Sequence, residues 1–261
     1  MDRSKRMYMV VMVFVVVSVQ LMFLSGQAYA DKKITAAVVA GFIMPFGEIA
    51  AAYEAKTSVK IVPTYTSAGR FYGQIVNGAP YDIFLSADRE RPDLLHEKAL
   101  CEKPFVYAKG ELVLWSSNRS FCDSPDWRSA LARDGVKKIA IANPETAVHG
   151  GRAKRALEDA GLWNAVTPRL VYAPDLSQVF QFASEGAVDV AFCSLAHAYT
   201  DKGKTGCYYE MKGVPAVVYS ACVLKNAKEI DRTRDFAAFL VSTEAETIKK
   251  KYGYTRITDD R

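Results

Sequence analysis

Two hydrophobic periods alternate along the chain, and this alternation limits the possible folds more than any other feature. "KITAAVV" has the composition of a strand, and Ile43, Phe46, Ile49, Ala50 and Tyr53 then recur at helical spacing. "VKIVPTY" is a strand, "RFYGQIV" a helix, "DIFLSA" a strand, and "ERPDLLHEKAL" a helix with Pro92 near its first turn. A βαβαβα run of this kind predicts an α/β fold with mostly parallel sheets covered by helices. After the extended "FVYAKGELVLWSS" the pattern resumes, with a helix from Pro125, strand "KKIAIAN", a helix from Gly150, strand "RLVYA", a helix from Leu176 and strand "VDVAFC". A long strand, "PAVVYSACVL", and an amphipathic helix carrying Phe236, Phe239 and Leu240 close the chain. Two α/β units joined by long extended segments predict two lobes with a cleft between them.

The N-terminus points to export. Arg3, Lys5 and Arg6 precede an apolar run from about Met7 to Leu24, and Ala28, Tyr29 and Ala30 form an A-x-A-like site. Residues 1–30 are therefore expected to be a secretory signal cleaved after Ala30, because the small-residue site follows the apolar run directly. The first cysteine is Cys101, so a lipid-anchoring cysteine after the cleavage site is lacking. The mature chain, residues 31–261, is expected free in a bacterial periplasm.

Loss of Asp2, Arg3, Lys5 and Arg6 with the signal lowers the formal net charge from +5 to +3. No dense basic stripe exists apart from "KKKY", which has the pattern of a solvated helix face, so nucleic acid is not an expected partner. The five cysteines leave at least one thiol free. Cys193 and Cys222 lie in apolar strands and are expected in the core, and of the other three cysteines Cys101 with Cys122 is the expected bridge. No CxxC or Cys/His spacing suggests a metal or a cofactor.

Four strand-to-helix loops share small residues: "VVAGF" at 38–42, "TSAGR" at 66–70, "AVHGGR" at 147–152 and "PDLSQ" at 174–178. Ligands of open α/β sheets bind beyond the carboxyl ends of the strands, where helix N-terminal amides and the helix dipole favour an anion. Arg70 and Arg152, in first helical turns, are expected to face solvent. An enzyme is not expected: GxSxG, SxxK and HExxH are all missing, and His96, His149 and His197 have no partners at motif spacing.

The runs "AGRFYGQI", "GAPYDIFLSAD", "IANPETAVHGGRAKRALEDAGLW" and "YGYTR", in this order, resemble the periplasmic molybdate-binding proteins that serve ABC importers. The resemblance implies a class II periplasmic-binding-protein fold, with residues 31–110 plus 221–261 as one lobe and 111–220 as the other. Hinge strands are expected near Tyr107–Trp115 and Ala216–Leu224. It also implies a tetrahedral oxyanion, molybdate or tungstate, held by neutral donors without a bound cation. The partner would be an ABC permease in the inner membrane, the binding protein itself being monomeric.

By resemblance, Gly41 stands where the family offers a hydroxyl or amide, and Ala68 where it offers a Ser or Thr between Ser67 and Gly69. His149 occupies a position at which a backbone amide points to the oxyanion, Leu176 one used through its N–H, and Ser194 one where some members carry Tyr. Ser67, Ser177, Ser194 and His149 are the candidates to compensate for the two missing donors, and a protonated His149 would make affinity fall as pH rises. Another oxyanion or small organic anion, a periplasmic sensor role, and more remotely a secreted hydrolase are the alternatives.

Overall fold

The computed structural model describes residues 33–255, so the signal segment expected at 1–30 lies outside the described residues. Ten strands follow one another among them: β1 Lys33–Val39, β2 Lys60–Thr66, β3 Ile83–Ser86, β4 Phe105–Gly110, β5 Leu112–Ser116, β6 Ile139–Ala142, β7 Leu170–Ala173, β8 Val190–Ser194, β9 Cys207–Glu210 and β10 Val217–Val223. The α-helices between and after them are α1 Ile43–Thr57, α2 Ala68–Val76, α3 Glu90–Glu97, α4 Trp127–Leu131, α5 Val148–Asp159, α6 Trp163–Val166, α7 Leu176–Ser184, α8 Leu195–Ala198, α9 Ile230–Leu240 and α10 Thr243–Lys251.

The strands form two five-stranded sheets, ordered β2-β1-β3-β10-β4 and β7-β6-β8-β5-β9. Each sheet is mixed rather than mostly parallel. β1 pairs in parallel with β2 and β3, and β6 with β7 and β8, but β10 and β5 run antiparallel to both of their neighbours. The physical reason lies in the crossings: β4 leads straight into β5 at Glu111, and β9 leads through residues 211–216 into β10, so the crossing strands enter against the βαβ direction. Because β10 pairs with β3 and β4 from Val217 onward, residues 217–220 belong to the first sheet, not to the lobe in which the resemblance put them.

The composition of β5 shows how the second lobe is built. Successive side chains of a strand face opposite ways. Leu112 and Leu114 enter one core with Phe121, Trp127, Ile139 and Phe192, while Val113 and Trp115 enter another with Val179 and Cys193. Both faces are covered by helices, which is why "LVLWS" is apolar without alternation. In the first lobe one core joins Phe42, Phe46, Phe71, Phe84, Tyr107, Tyr219 and Phe236.

The cysteines pair differently from the expectation. Cys122, in a 3-10 turn over Arg119–Asp123, is bridged to Cys207 at the start of β9, with Cα atoms 6.2 Å apart. Cys101 cannot reach Cys122, since it lies in the other lobe and pairs with Leu224 beyond β10. Cys101, Cys193 and Cys222 are free and buried, the last two in the core as expected.

The "KKKY" stretch is not only a solvated face. Lys249 is buried, with its ammonium bonded to the Tyr107 carbonyl, to the Leu240 carbonyl at 3.0 Å and to Glu246 at 2.5 Å. That set of partners ties α10 back onto β4.

Candidate functional site

The carboxyl ends of the parallel strands converge where the lobes meet. Val39, Ala40 and Gly41 after β1, Thr66, Ser67 and Ala68 after β2, Ala87 after β3, Ala147, Val148 and His149 at the start of α5, and Asp175 with Leu176 at the start of α7 enclose one cavity. Its volume is about 20 Å³, the room one water takes, so a larger ligand requires the walls to part. Those walls belong to different lobes.

Four helix starts therefore surround the cavity, a 3-10 turn over Ala40–Phe42 leading into α1 being the first. The N–H groups of a first helical turn have no intrahelical acceptor and carry the positive end of the dipole. No lysine or arginine lines the space. Its one charged lining group, Asp175, is engaged in capping α7, its Oδ1 accepting from the amides of Ser177 at 3.0 Å and Gln178 at 3.1 Å. Among the described residues no group of three or more His, Cys, Asp or Glu side chains is placed to hold a metal ion.

Ser67 holds the N-cap position of α2 in extended backbone, where a serine hydroxyl ordinarily accepts an amide of the first turn. Here it makes no such bond. Gly69, whose amide is one of the usual donors, instead gives its N–H to the Thr146 carbonyl of the second lobe at 2.9 Å. The Ser67 Oγ is left buried without a partner on the cavity wall. Glycine is required at 69: a Cβ there would stand 2.9 Å from the Thr146 oxygen.

Gly41 is packed closely against different neighbours, all of them side chains. A Cβ at this position would lie 3.0 Å from His149 Cε1, 3.2 Å from Leu176 Cδ2 and 3.2 Å from the Tyr219 hydroxyl. The space beside Gly41 is occupied by His149, itself hydrogen-bonded through Nε2 to Tyr219 at 2.9 Å. Burial, with the charges of His197 and Arg152 adding to it, lowers the His149 pKa to about 3. At neutral pH the imidazole therefore carries no charge.

Of the residues singled out in the sequence, Gly41, Ser67, Ala68, His149 and Leu176 share the cavity wall. Gly69 and Ser177 stand beside it and bridge the lobes, the latter through its hydroxyl to the Ala40 carbonyl at 3.4 Å. Ser194 is set back from the cavity, bonded to His197 Nδ1 at 2.8 Å. Arg70 is exposed, and Arg152 lines a separate surface pocket with Trp127 and Lys212. Sequence reasoning missed Tyr219 and Tyr254. Tyr219 was hidden in a strand with the composition of core, whereas Tyr254 stood in "YGYTR", a stretch already marked by the resemblance.

Two lobes, two crossings and a cavity closed by helix starts from both sides describe a solute-binding protein. The model of the family "Bacterial extracellular solute-binding protein" matches residues 34–255, and the chain belongs to that family. It is 32% identical over 229 residues to the molybdate-binding protein ModA of Azotobacter vinelandii, covering 85% of this chain and 89% of the relative. The ModA of Rhodobacter capsulatus is likewise 32% identical, over 86% of this chain and 89% of its own. The solved structure of the periplasmic molybdate-binding protein of A. vinelandii superposes with a TM-score of 0.82 at 29% identity, over 86% of this chain and 100% of that one. The fold is the two-lobed periplasmic-binding-protein fold, and these homologues are solute-binding proteins, not enzymes.

Proposed function

We propose that the protein is the periplasmic binding component of an ABC importer, a monomer that captures molybdate or tungstate between its lobes and hands it to an inner-membrane permease. The observation that carries this reading is the Ser67 hydroxyl, buried without a partner where four helix starts converge and no cationic side chain intrudes. Such a wall offers an oxyanion neutral donors and helix dipoles. Homology to the ModA proteins supports the ligand class, the importer and the compartment. Because the cavity wall is shared by two lobes, capture amounts to a hinge closure in which the ligand fits the closed arrangement better than the open one.

A second reading, another oxyanion or a small organic anion, is favoured by Gly41 and Ala68, which bring no side-chain donor to the wall. Calorimetric titration with molybdate, tungstate, sulfate, phosphate and simple carboxylates decides between the two. Heat with molybdate or tungstate at micromolar concentration is the expected result. Binding of only another anion transfers the reading to the second, and no binding by any of them removes both.

Position 68 supplies a graded test. Ala68 is 2% exposed, at the first residue of α2. Ala68→Ser adds one hydroxyl to this wall, and a hydrogen bond to a charged acceptor is worth roughly 1.5 to 3 kcal/mol before the cost of fitting it. The expected gain for molybdate is about 1 to 2 kcal/mol, or about five- to thirtyfold in Kd, measured by the same titration.

A further inference from the structure

A second concave site lies in the second lobe, apart from the cleft. Its volume is about 340 Å³, within the range of pockets that hold small organic molecules, against about 20 Å³ for the cleft cavity. Arg152, Arg155, Ala156 and Asp159 reach it from α5, where positions three, four and seven residues apart share one face of the helix. Trp127 and Arg128 come from the start of α4. Lys212 to Pro215 belong to the segment that carries the chain from β9 towards β10.

Four cationic side chains line this pocket against one carboxylate, and the carboxylate is already engaged, since Asp159 Oδ1 lies 2.9 Å from Arg155 Nε. Arg128, Arg152 and Lys212 make no salt bridge among the described residues. Cations gathered around one space without counter-charge repel one another, and an anion between them reverses the sign of that interaction. The Arg128 guanidinium lies over the Trp127 ring, 4.6 Å from its centroid, a stacking that holds the planar fork and leaves its N–H donors unspent. Trp127 itself is 3% exposed, and its indole Nε1 is buried without an acceptor among the described residues. Ala156, Val214 and Pro215 add carbon surface. A lining that joins cations to carbon suits an anion with a carbon skeleton better than an inorganic one.

We propose that this pocket is a second ligand site, one for a small organic polycarboxylate, whose carboxylates pair with Arg128, Arg152 and Lys212 while its skeleton rests on Val214 and Pro215. Planar carboxylates match the guanidinium fork with two parallel hydrogen bonds, and three unpaired cations call for two or three such groups. The inference is independent of the oxyanion reading, because none of these residues lines the cleft cavity.

Calorimetry at low ionic strength with citrate, succinate, acetate and sulfate, each alone, tests the site. Citrate is expected to bind most tightly, with acetate and sulfate at least about tenfold weaker. Raising the salt from about 0.02 M to about 0.2 M should weaken citrate severalfold, because these charges stand at the surface. Arg128→Glu combined with Lys212→Glu changes two exposed positions, so the variant should unfold at the wild-type temperature. Its affinity for citrate should fall at least about thirtyfold. Ala68→Leu, which fills the cleft, should leave citrate binding unchanged, and in that variant as in the wild type the Trp127 indole resonance should move on titration with citrate.

A citrate Kd within about twofold of wild type in the double glutamate variant overturns the proposal. So does loss of citrate binding in Ala68→Leu, which would place the citrate in the cleft. Sulfate or acetate binding as tightly as citrate reduces the pocket to a patch for an adventitious ion only. Binding of a short polyglutamate peptide without binding of citrate assigns the surface to a protein partner and removes the small-molecule site. Should molybdate fail to bind anywhere, the oxyanion reading falls while the citrate result stands.

Discussion

Ala68→Leu is expected to abolish binding of every small anion while leaving the protein folded. The residue lines a cavity of about 20 Å³ and is 2% exposed, so a leucine side chain has no space in the closed arrangement. The collision is with the opposite lobe. With the hinge open the same side chain projects into the cleft at little cost, whereas overpacking within a single core typically costs about 1 to 3 kcal/mol. The variant should thus unfold close to the wild-type temperature. What it should lose is the ligand's effect: a ligand at a hundred times its Kd stabilises a protein by about 2.7 kcal/mol, and that increment is expected to vanish with the binding heat. The affinity loss should be at least about a hundredfold, the reverse of the gain expected from serine at the same position. Wild-type affinity in the leucine variant would place the ligand outside this cavity.

The second large effect concerns the bridge between Cys122 and Cys207, which closes a separation of 85 residues within the second lobe. Cross-links over loops of this size constrain the unfolded chain by roughly 4 to 5 kcal/mol, and removal of native disulfides costs about 2 to 5 kcal/mol. The double variant Cys122→Ser with Cys207→Ser is expected to lose stability in that range, a fall in Tm of about 10 °C for a chain of this length. Thermal unfolding of both proteins, and of the wild type with a reductant, measures it. Peptide mapping should join the segments holding Cys122 and Cys207 and find Cys101 as a thiol. A link from Cys101 to Cys122, or an unchanged Tm, contradicts the expectation.

The sheets' regular elements were legible because their apolar patterns are local. β1 spans "KITAAVV" to the residue, and β2, β3, β6, β7 and β8 were likewise recognisable from their composition. What escaped depends on partners far away in sequence. β9, "CYYE", is only half-buried and exists as an edge strand against β5, which also explains the disulfide: the order of strands, invisible in spacing, brings Cys207 opposite Ser116 and near the 3-10 turn that holds Cys122. α10, "TEAETIKKK", looks like a solvated helix until Lys249 is seen with Glu246 and two carbonyls inside the fold. At the site the loops were legible as small-residue turns, and Gly41, Ser67, Ala68, His149 and Leu176 do meet. Missing from the reading was the reason glycine is tolerated at 41. Only packing shows that His149 and Tyr219 occupy the space beside it.

The position of β10 also sets an order of assembly. Among the named strands β4 pairs with β10, which separates it from β3, and it meets Thr255 in an isolated bridge at Lys109, so residues 33–110 hold an unfinished sheet until residues 217–223 have been made. The second sheet needs nothing outside residues 112–210. As a ribosome delivers the chain, the lobe that is begun first is the last to be completed. Residues 33–110 thus wait for more than a hundred further residues before their sheet can close.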